Sequence, residues 1–311
     1  MTPPTAEQIQ QAWEDPKLAN LLYHDWEADT YDDKWSISFD ERCISYATDR
    51  FRNVAGEQGW PYGSALELGC GTGFFLLNLK LGGVLDDGHV TDLSPGMVDV
   101  AKRNGTHLGF ELEGRVADAE TLPYPDESFD LVIGHAVLHH IPDLEQALRE
   151  VMRVLKPGGR FVFAGEPTAK GDFVARKLSQ LTWSAAKRIT HLPGLRDRYA
   201  RSDAELDESS RAAVLEAVVD IHTFDPTELR QMCERVGAVD VSTVTEEFTA
   251  SWFGWPVRTV EAAVKPGALG WKWAYFAYGT WLALSALDAK VFNKIVPAQY
   301  FYNVSVTGIK A

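Results

Sequence analysis

The stretch Leu66-Glu-Leu-Gly-Cys-Gly-Thr-Gly-Phe74 places glycine at every second position, Gly69, Gly71 and Gly73, between a short strand-like run and the apolar run Phe75–Leu79. A glycine-rich strand-to-helix turn brings backbone N–H groups and a helix N-terminus against a ligand, and a side chain at Gly69 or Gly71 would block that approach. The device needs an acidic partner at the end of the next strand. Asp92 holds that place, 19 positions after Gly73, where a carboxylate can accept from both hydroxyls of a ribose. The dinucleotide pattern G-x-G-x-x-G is not met, because Phe74 stands where its last glycine belongs. No Gly-Lys-Ser/Thr follows, which excludes a P-loop.

Outward from this turn, residues 64–166 alternate short apolar runs with helical periodicity. Strands are predicted at Ala65–Leu68, His89–Asp92, Phe110–Ala117, Leu131–His135 and Arg160–Gly165. Helices are predicted at Gly73–Leu81, Pro95–Asn104 and Asp143–Leu155, with Ser94 as an N-cap ahead of Pro95. "LKPGGR" at 155–160 reads as a helix stop and turn. Such alternation implies βαβ units in a doubly wound, mostly parallel sheet. A further helix, Asp225–Val236, and strands at Ala238–Phe248 and Tyr300–Lys310 continue it. The expected organisation is an N-terminal helical lid (1–63), a core (64–166), a first cap insertion (167–222), core again (223–248), an aromatic second insertion (249–299) and a last strand (300–311).

These motifs in this order resemble the class I S-adenosylmethionine-dependent methyltransferases. Glu67-Leu-Gly-Cys-Gly-Thr-Gly73 resembles their first motif. "VTDLSPGMV" (90–98), "VADAETLPYPDESFDLVIGHAVLHHIPD" (116–143) and "EVMRVLKPGGRFVF" (150–163) follow in the family's sequence. "DWEADTYDDKW" (25–35) is similar to the lid segment of the menaquinone- and ubiquinone-biosynthesis-like branch. The resemblance implies a Rossmann-like, seven-stranded α/β sheet whose last strand is antiparallel, and S-adenosyl-L-methionine as cofactor. It also implies cofactor contacts from Glu67, Gly69, Cys70, Gly71 and Gly73, from Asp92 and Leu93 at the ribose, and from Met97 near the adenine. Asp118 would bind the adenine amino group beside the backbone of Ala119, Tyr31 would close over the cofactor, and His135 would face it.

At the reacting end, methyl transfer needs orientation first, and a base only where the acceptor must lose a proton. His135, His139, His140 and Glu166 lie at the carboxyl edge of the predicted sheet and are the candidate catalytic groups. Cys43, Cys70 and Cys233 have no CxxC spacing, so free thiols and no metal site are expected. The sequence at the fourth strand, Gly134-His-Ala-Val137, lacks the Asn/Asp-Pro-Pro-Tyr used on planar nitrogens and the Pro-Cys of cytosine-C5 chemistry.

Composition limits the acceptor. The chain has 311 residues, 45% of them hydrophobic, and a net charge of −14, which argues against nucleic acid. The polar N-terminus has no apolar signal-peptide core, so a cytoplasmic location is expected. Residues 249–299 hold five of the ten tryptophans and a net charge of +3, leaving −17 on the remainder. Three uses of this segment compete: a cap that walls an acceptor pocket, an element lying on the inner face of a membrane, and a transmembrane helix at Leu269–Leu287. The last would strand the final β-strand across the bilayer from its sheet. A homodimer surface is a further use. The expected acceptor is a hydrophobic or amphipathic small molecule such as a quinone, polyketide, lipid or glycolipid precursor, with O-methylation ahead of C-methylation. The alternatives are a non-catalytic adaptor on the same fold and an NAD-dependent oxidoreductase.

Overall fold

The computed structural model describes residues 4–202 and 218–311. Seven strands form one sheet: β1 (Tyr62–Leu68), β2 (Leu85–Asp92), β3 (Glu113–Val116), β4 (Phe129–His135), β5 (Leu155–Pro167), β6 (Ala238–Glu246) and β7 (Asn303–Lys310), in the order β3-β2-β1-β4-β5-β7-β6. β7 runs antiparallel to both of its neighbours, and the other neighbouring pairs are parallel. The switch point falls between β1 and β4, which pair through Ala65 and Leu131. Ligands bind in α/β sheets at the carboxyl ends of the strands around such a point.

Alternation along each strand builds two cores, one on each face of the sheet. Leu66, Leu68, Val132, Phe161 and Phe163 face α7 (Leu144–Val154), whose Leu144, Leu148 and Val151 form one buried stripe. Ala65, Leu131, Ile133 and Val162 face the other way, onto α4 (Glu41–Ala55) and α5 (Phe74–Leu81) through Phe51, Phe75, Leu76 and Leu79.

Most predicted boundaries shift by a few residues, β1 and β2 starting earlier at Tyr62 and Leu85, and three differences change the reading. β3 is shorter than 110–117. "LKPGGR" does not stop before the fifth strand but begins it: Leu155 pairs with Phe129, a register shift follows, and Gly158 takes a left-handed φ of 78°. Residues 300–302 precede β7 rather than belonging to it, since Ala298–Tyr300 is a 3₁₀ turn.

The lid is α1 (Ala6–Ala12), α2 (Pro16–Glu27) and α3 (Tyr31–Trp35). Asp25 of α2 holds it to the core by accepting from the Ser94 hydroxyl at 3.0 Å and the Gly96 N–H at 2.9 Å, at the N-terminus of α6 (Pro95–His107). The first insertion supplies α8 (Ala169–Thr190) and α9 (Arg196–Tyr199), and its residues 203–217 lie outside the described residues. After α10 (Pro226–Arg235), the second insertion supplies α11 (Thr249–Ala263) and α12 (Gly270–Lys290). The two insertions join as one cap. α8 packs on α11 and α11 on α12, and Ala200 bridges Val264. The N-terminus of α11 has no side-chain cap of its own. Asp288 of α12, 2% exposed, accepts from the Thr249 and Ala250 N–H groups at 3.0 Å each and from the Thr249 hydroxyl at 2.6 Å. Among the described residues, no helix is long and apolar enough to cross a membrane.

Candidate active site

The three glycines of the β1–α5 turn all take left-handed φ, at 55°, 50° and 85°. Their surroundings differ. A Cβ on Gly69 would lie 2.2 Å from Val137 Cγ2, and one on Gly73 would meet Leu77 and Ala101 at 2.9 and 3.3 Å. A Cβ on Gly71 would meet nothing within 4 Å. The expectation that a ligand requires glycine at Gly69 therefore changes: protein packing requires it there and at Gly73, and Gly71 alone faces open space. Gly73 is the N-cap of α5 and lies outside the cavity wall described below.

Asp92 ends β2 opposite this turn. Its two oxygens accept from the Gly71 and Ser94 N–H groups, each at 2.9 Å. Burial pushes its pKa up to about 6, against the pull of those backbone donors. Glu67 is 1% exposed, accepts from the Leu76 N–H at 3.3 Å, and is raised well above the usual carboxylate range by burial and by Asp92. The Thr72 hydroxyl beside them is buried with no partner among the described residues.

A cavity of about 1290 Å³ opens over this turn. Tyr31, Glu67, Gly69, Cys70, Gly71, Asp92, Leu93, Asp118, Ala119, His135, His139 and His140 all line it. Met97 does not. It is fully buried with Ala28 and Val100 under Tyr31, because its position on α6 turns inward to the lid. Asp118 is already engaged: Lys17 of the lid reaches it at 2.6 Å and Glu120 at 2.5 Å, and its other oxygen accepts the Glu120 N–H at 3.0 Å.

Glu166 is also off the cavity wall, and its place corrects its expected role as a base. It is fully buried at the end of β5, and its carboxylate accepts from the N–H groups of Val137, Leu138 and His139 at 2.9, 3.0 and 3.2 Å. It accepts from His139 Nδ1 as well, at 2.8 Å. The β4–α7 loop is thus wrapped on one carboxylate. His139 Nε2 lies 3.7 Å from Asp220. Burial would lower the His139 pKa, but the Glu166 hydrogen bond and the two carboxylates outweigh it and raise it. His140 packs 3.9 Å from the His139 ring and sits well below the ordinary histidine range, through burial and then the His139 charge. His135 is lowered to about 4, by burial and then by Arg50. It is ringed by Phe74, Phe75 and Tyr46, with the Tyr46 hydroxyl 3.4 Å from Nε2.

Several cavity residues carry no signal in the sequence. Lys17 and Arg50 are two. Arg50 is buried against Glu246 and Glu247 and over the Tyr46 ring. Asp220 is a third, 80 residues from His140. His139, His140 and Asp220 each offer one ligand atom within 4.8 Å of the others, a donor set able to hold a metal ion that residue spacing did not disclose. The cap closes the far wall with Phe253, Trp255, Tyr275, Tyr278 and Trp281.

Residues 66–163 match the sequence profile described as a methyltransferase domain. The chain is 32% identical over 185 residues to the 27-O-demethylrifamycin SV methyltransferase of Amycolatopsis mediterranei, covering 56% of this chain and 61% of that one. It is 32% identical over 173 residues to the demethylmenaquinone methyltransferase of Symbiobacterium thermophilum, covering 49% and 68%. The chain spans about half the length of several other curated relatives. A phosphoethanolamine N-methyltransferase of Haemonchus contortus, solved with S-adenosyl-L-methionine, shares the fold at 14% identity, with a TM-score of 0.51 over 86% of this chain and 52% of its own. The strand order with its antiparallel β7, the open backbone at Gly71 facing Asp92, and these relatives agree: the chain belongs to the class I S-adenosylmethionine-dependent methyltransferases.

Proposed function

We propose that this protein methylates a hydroxyl of a hydrophobic or amphipathic small molecule. One observation carries the reading. A single cavity joins the Gly71–Asp92 cradle to histidines at the carboxyl edge and to an aromatic cap wall.

The cradle fits the methyl donor. Gly71 leaves room for the ligand's approach, the Thr72 hydroxyl lacks a partner among the described residues, and the α5 N-terminus attracts a carboxylate. Asp92 would hold the ribose hydroxyls, and Glu67, Cys70 and Leu93 would line the adenosine. Lys17 would share Asp118 with the adenine amino group, or release it. When bound, S-adenosylmethionine supplies a methyl group that moves to the acceptor oxygen as the C–S bond breaks, with the electron pair left on sulfur. The acceptor proton must go elsewhere. Glu166 fixes the His139 Nδ1 proton, which leaves Nε2 as the basic nitrogen toward the cavity. His135, lowered to about 4, stays neutral at physiological pH, with its Nε2 3.4 Å from the Tyr46 hydroxyl. Phe253, Trp255 and Trp281 favour an apolar or ring-bearing acceptor body.

The test is methyl-labelled S-adenosylmethionine with purified protein and an extract of the source cell, partitioned between organic solvent and water. Label in the organic phase is expected, on an oxygen by NMR. Label only in water sinks the hydrophobic acceptor, and label on carbon sinks the hydroxyl.

A further inference from the structure

Among the described residues, much of the outer side of α12 is left uncovered. Inward, only Ala277 and Asp288 of this helix are buried. Outward, Trp271 is 68% exposed, with Phe276 and Leu287 also exposed, and Ile295 just beyond is 69% exposed. Large contiguous apolar surface on a folded chain marks an interaction site. The charges of α12 are mostly basic. Lys272, Lys290 and, just beyond, Lys294 are exposed, its one acid, Asp288, is buried capping α11, and the neighbouring Glu261 of α11 is engaged by Trp273 Nε1 at 2.8 Å. α8 of the same cap repeats the pattern. Phe173 and Leu181 are exposed, Lys177, Lys187 and Arg188 accompany them, and Asp172 is tied to Arg176 at 2.5 Å.

We propose that the cap docks on an anionic lipid surface, with α12 lying in the interface. A second copy of the chain fits less well, because pairing two α12 faces would bring six lysines together, and Glu261, the acid beside them among the described residues, is already engaged by Trp273. Elsewhere the acidic body would be repelled by anionic lipid, so the cap sets the orientation. Tryptophan, tyrosine and lysine on one helix match an interfacial position. The docking also places the cavity. Tyr275, Tyr278 and Leu282 belong to α12 and line the cavity wall as well, so a lipid-borne molecule has a short path inward. The inference does not depend on the proposed methylation.

The test is co-sedimentation of the full chain with phosphatidylcholine vesicles, with and without phosphatidylglycerol. Binding only to the anionic vesicles is expected, weakening as salt rises. Lys272→Glu with Lys290→Glu should weaken it roughly fivefold or more per lysine, and Trp271→Ser with Ile295→Ser should weaken it as far. None of these four residues lines the cavity, so thermal unfolding and S-adenosylhomocysteine binding serve as controls and should hold. Absence of vesicle binding, binding indifferent to both double variants, or a stable dimer dispersed by Trp271→Ser would overturn the proposal. Cofactor binding retained in those cases would leave the methyltransferase reading standing.

Discussion

Glu166 and His139 lie 2.8 Å apart, carboxylate oxygen to Nδ1, with the same carboxylate holding the backbone of the loop that carries the histidine. One buried group therefore sets the position, the tautomer and the basicity of the imidazole. Glu166→Gln keeps the size but turns one acceptor into a donor facing N–H groups. Turnover should fall about 10²-fold, in the range that a displaced proton acceptor costs. The pH profile separates positioning from simple unfolding. Activity through an unprotonated His139 is lost as pH falls through its raised pKa. Without the Glu166 charge that pKa drops, so the acidic limb should move to lower pH in the variant. A limb that stays in place would remove His139 from the proton path.

The glycine turn gives a paired prediction. Gly69→Ala and Gly71→Ala impose the same left-handed strain, about 1 kcal/mol each. Only Gly69→Ala also drives a methyl group into Val137, so it should lose clearly more thermal stability. Gly71→Ala should fold with a small loss yet fail to bind S-adenosylhomocysteine by calorimetry. Normal binding by Gly71→Ala would show that nothing approaches this backbone closely.

Local pattern carried the sheet, the glycine turn and Asp92, because each depends on neighbours within about twenty residues. Period-2 strands, the Ser94 cap and a strand-end carboxylate leave marks in sequence. The lock of Lys17 on Asp118 spans 101 positions, and that of Arg50 on Glu247 spans 197. No periodicity records such pairs. Glu166 and Met97 show the converse. Each stood at a position that suggested a ligand contact, and the fold uses each for packing or for holding a loop. The role of the 155–160 turn failed for a related reason: Gly158 supplies the kink a stop would need, but Phe129 offers a pairing edge that extends the strand instead.

Asp288 caps α11 from another helix, so removing it should separate cap from core. Asp288→Ala strands the buried Ala250 N–H and the half-buried N–H and hydroxyl of Thr249, at a cost of about 2 kcal/mol. Hydrogen exchange should speed up in α11 and α12 while the β1, β4 and β5 amides stay protected. Uniform acceleration across the sheet would mean that cap and core unfold as one unit.

Asp92 links cofactor affinity to pH. Burial raises its folded pKa to about 6, above the unfolded value. The sign follows: the protonated carboxyl suits the buried site, and the stability it brings is lost as pH rises through about 6. Ribose binding runs the other way, since only the ionised carboxylate accepts from both hydroxyls. S-adenosylhomocysteine affinity should be flat above pH 7 and fall below about 6, approaching tenfold per pH unit for a single proton. Asp92→Asn should bind about 100-fold more weakly, as expected for two lost charge-assisted hydrogen bonds, and should lose this pH dependence. An equal slope in the variant would assign the titration to another group and take the ribose away from Asp92.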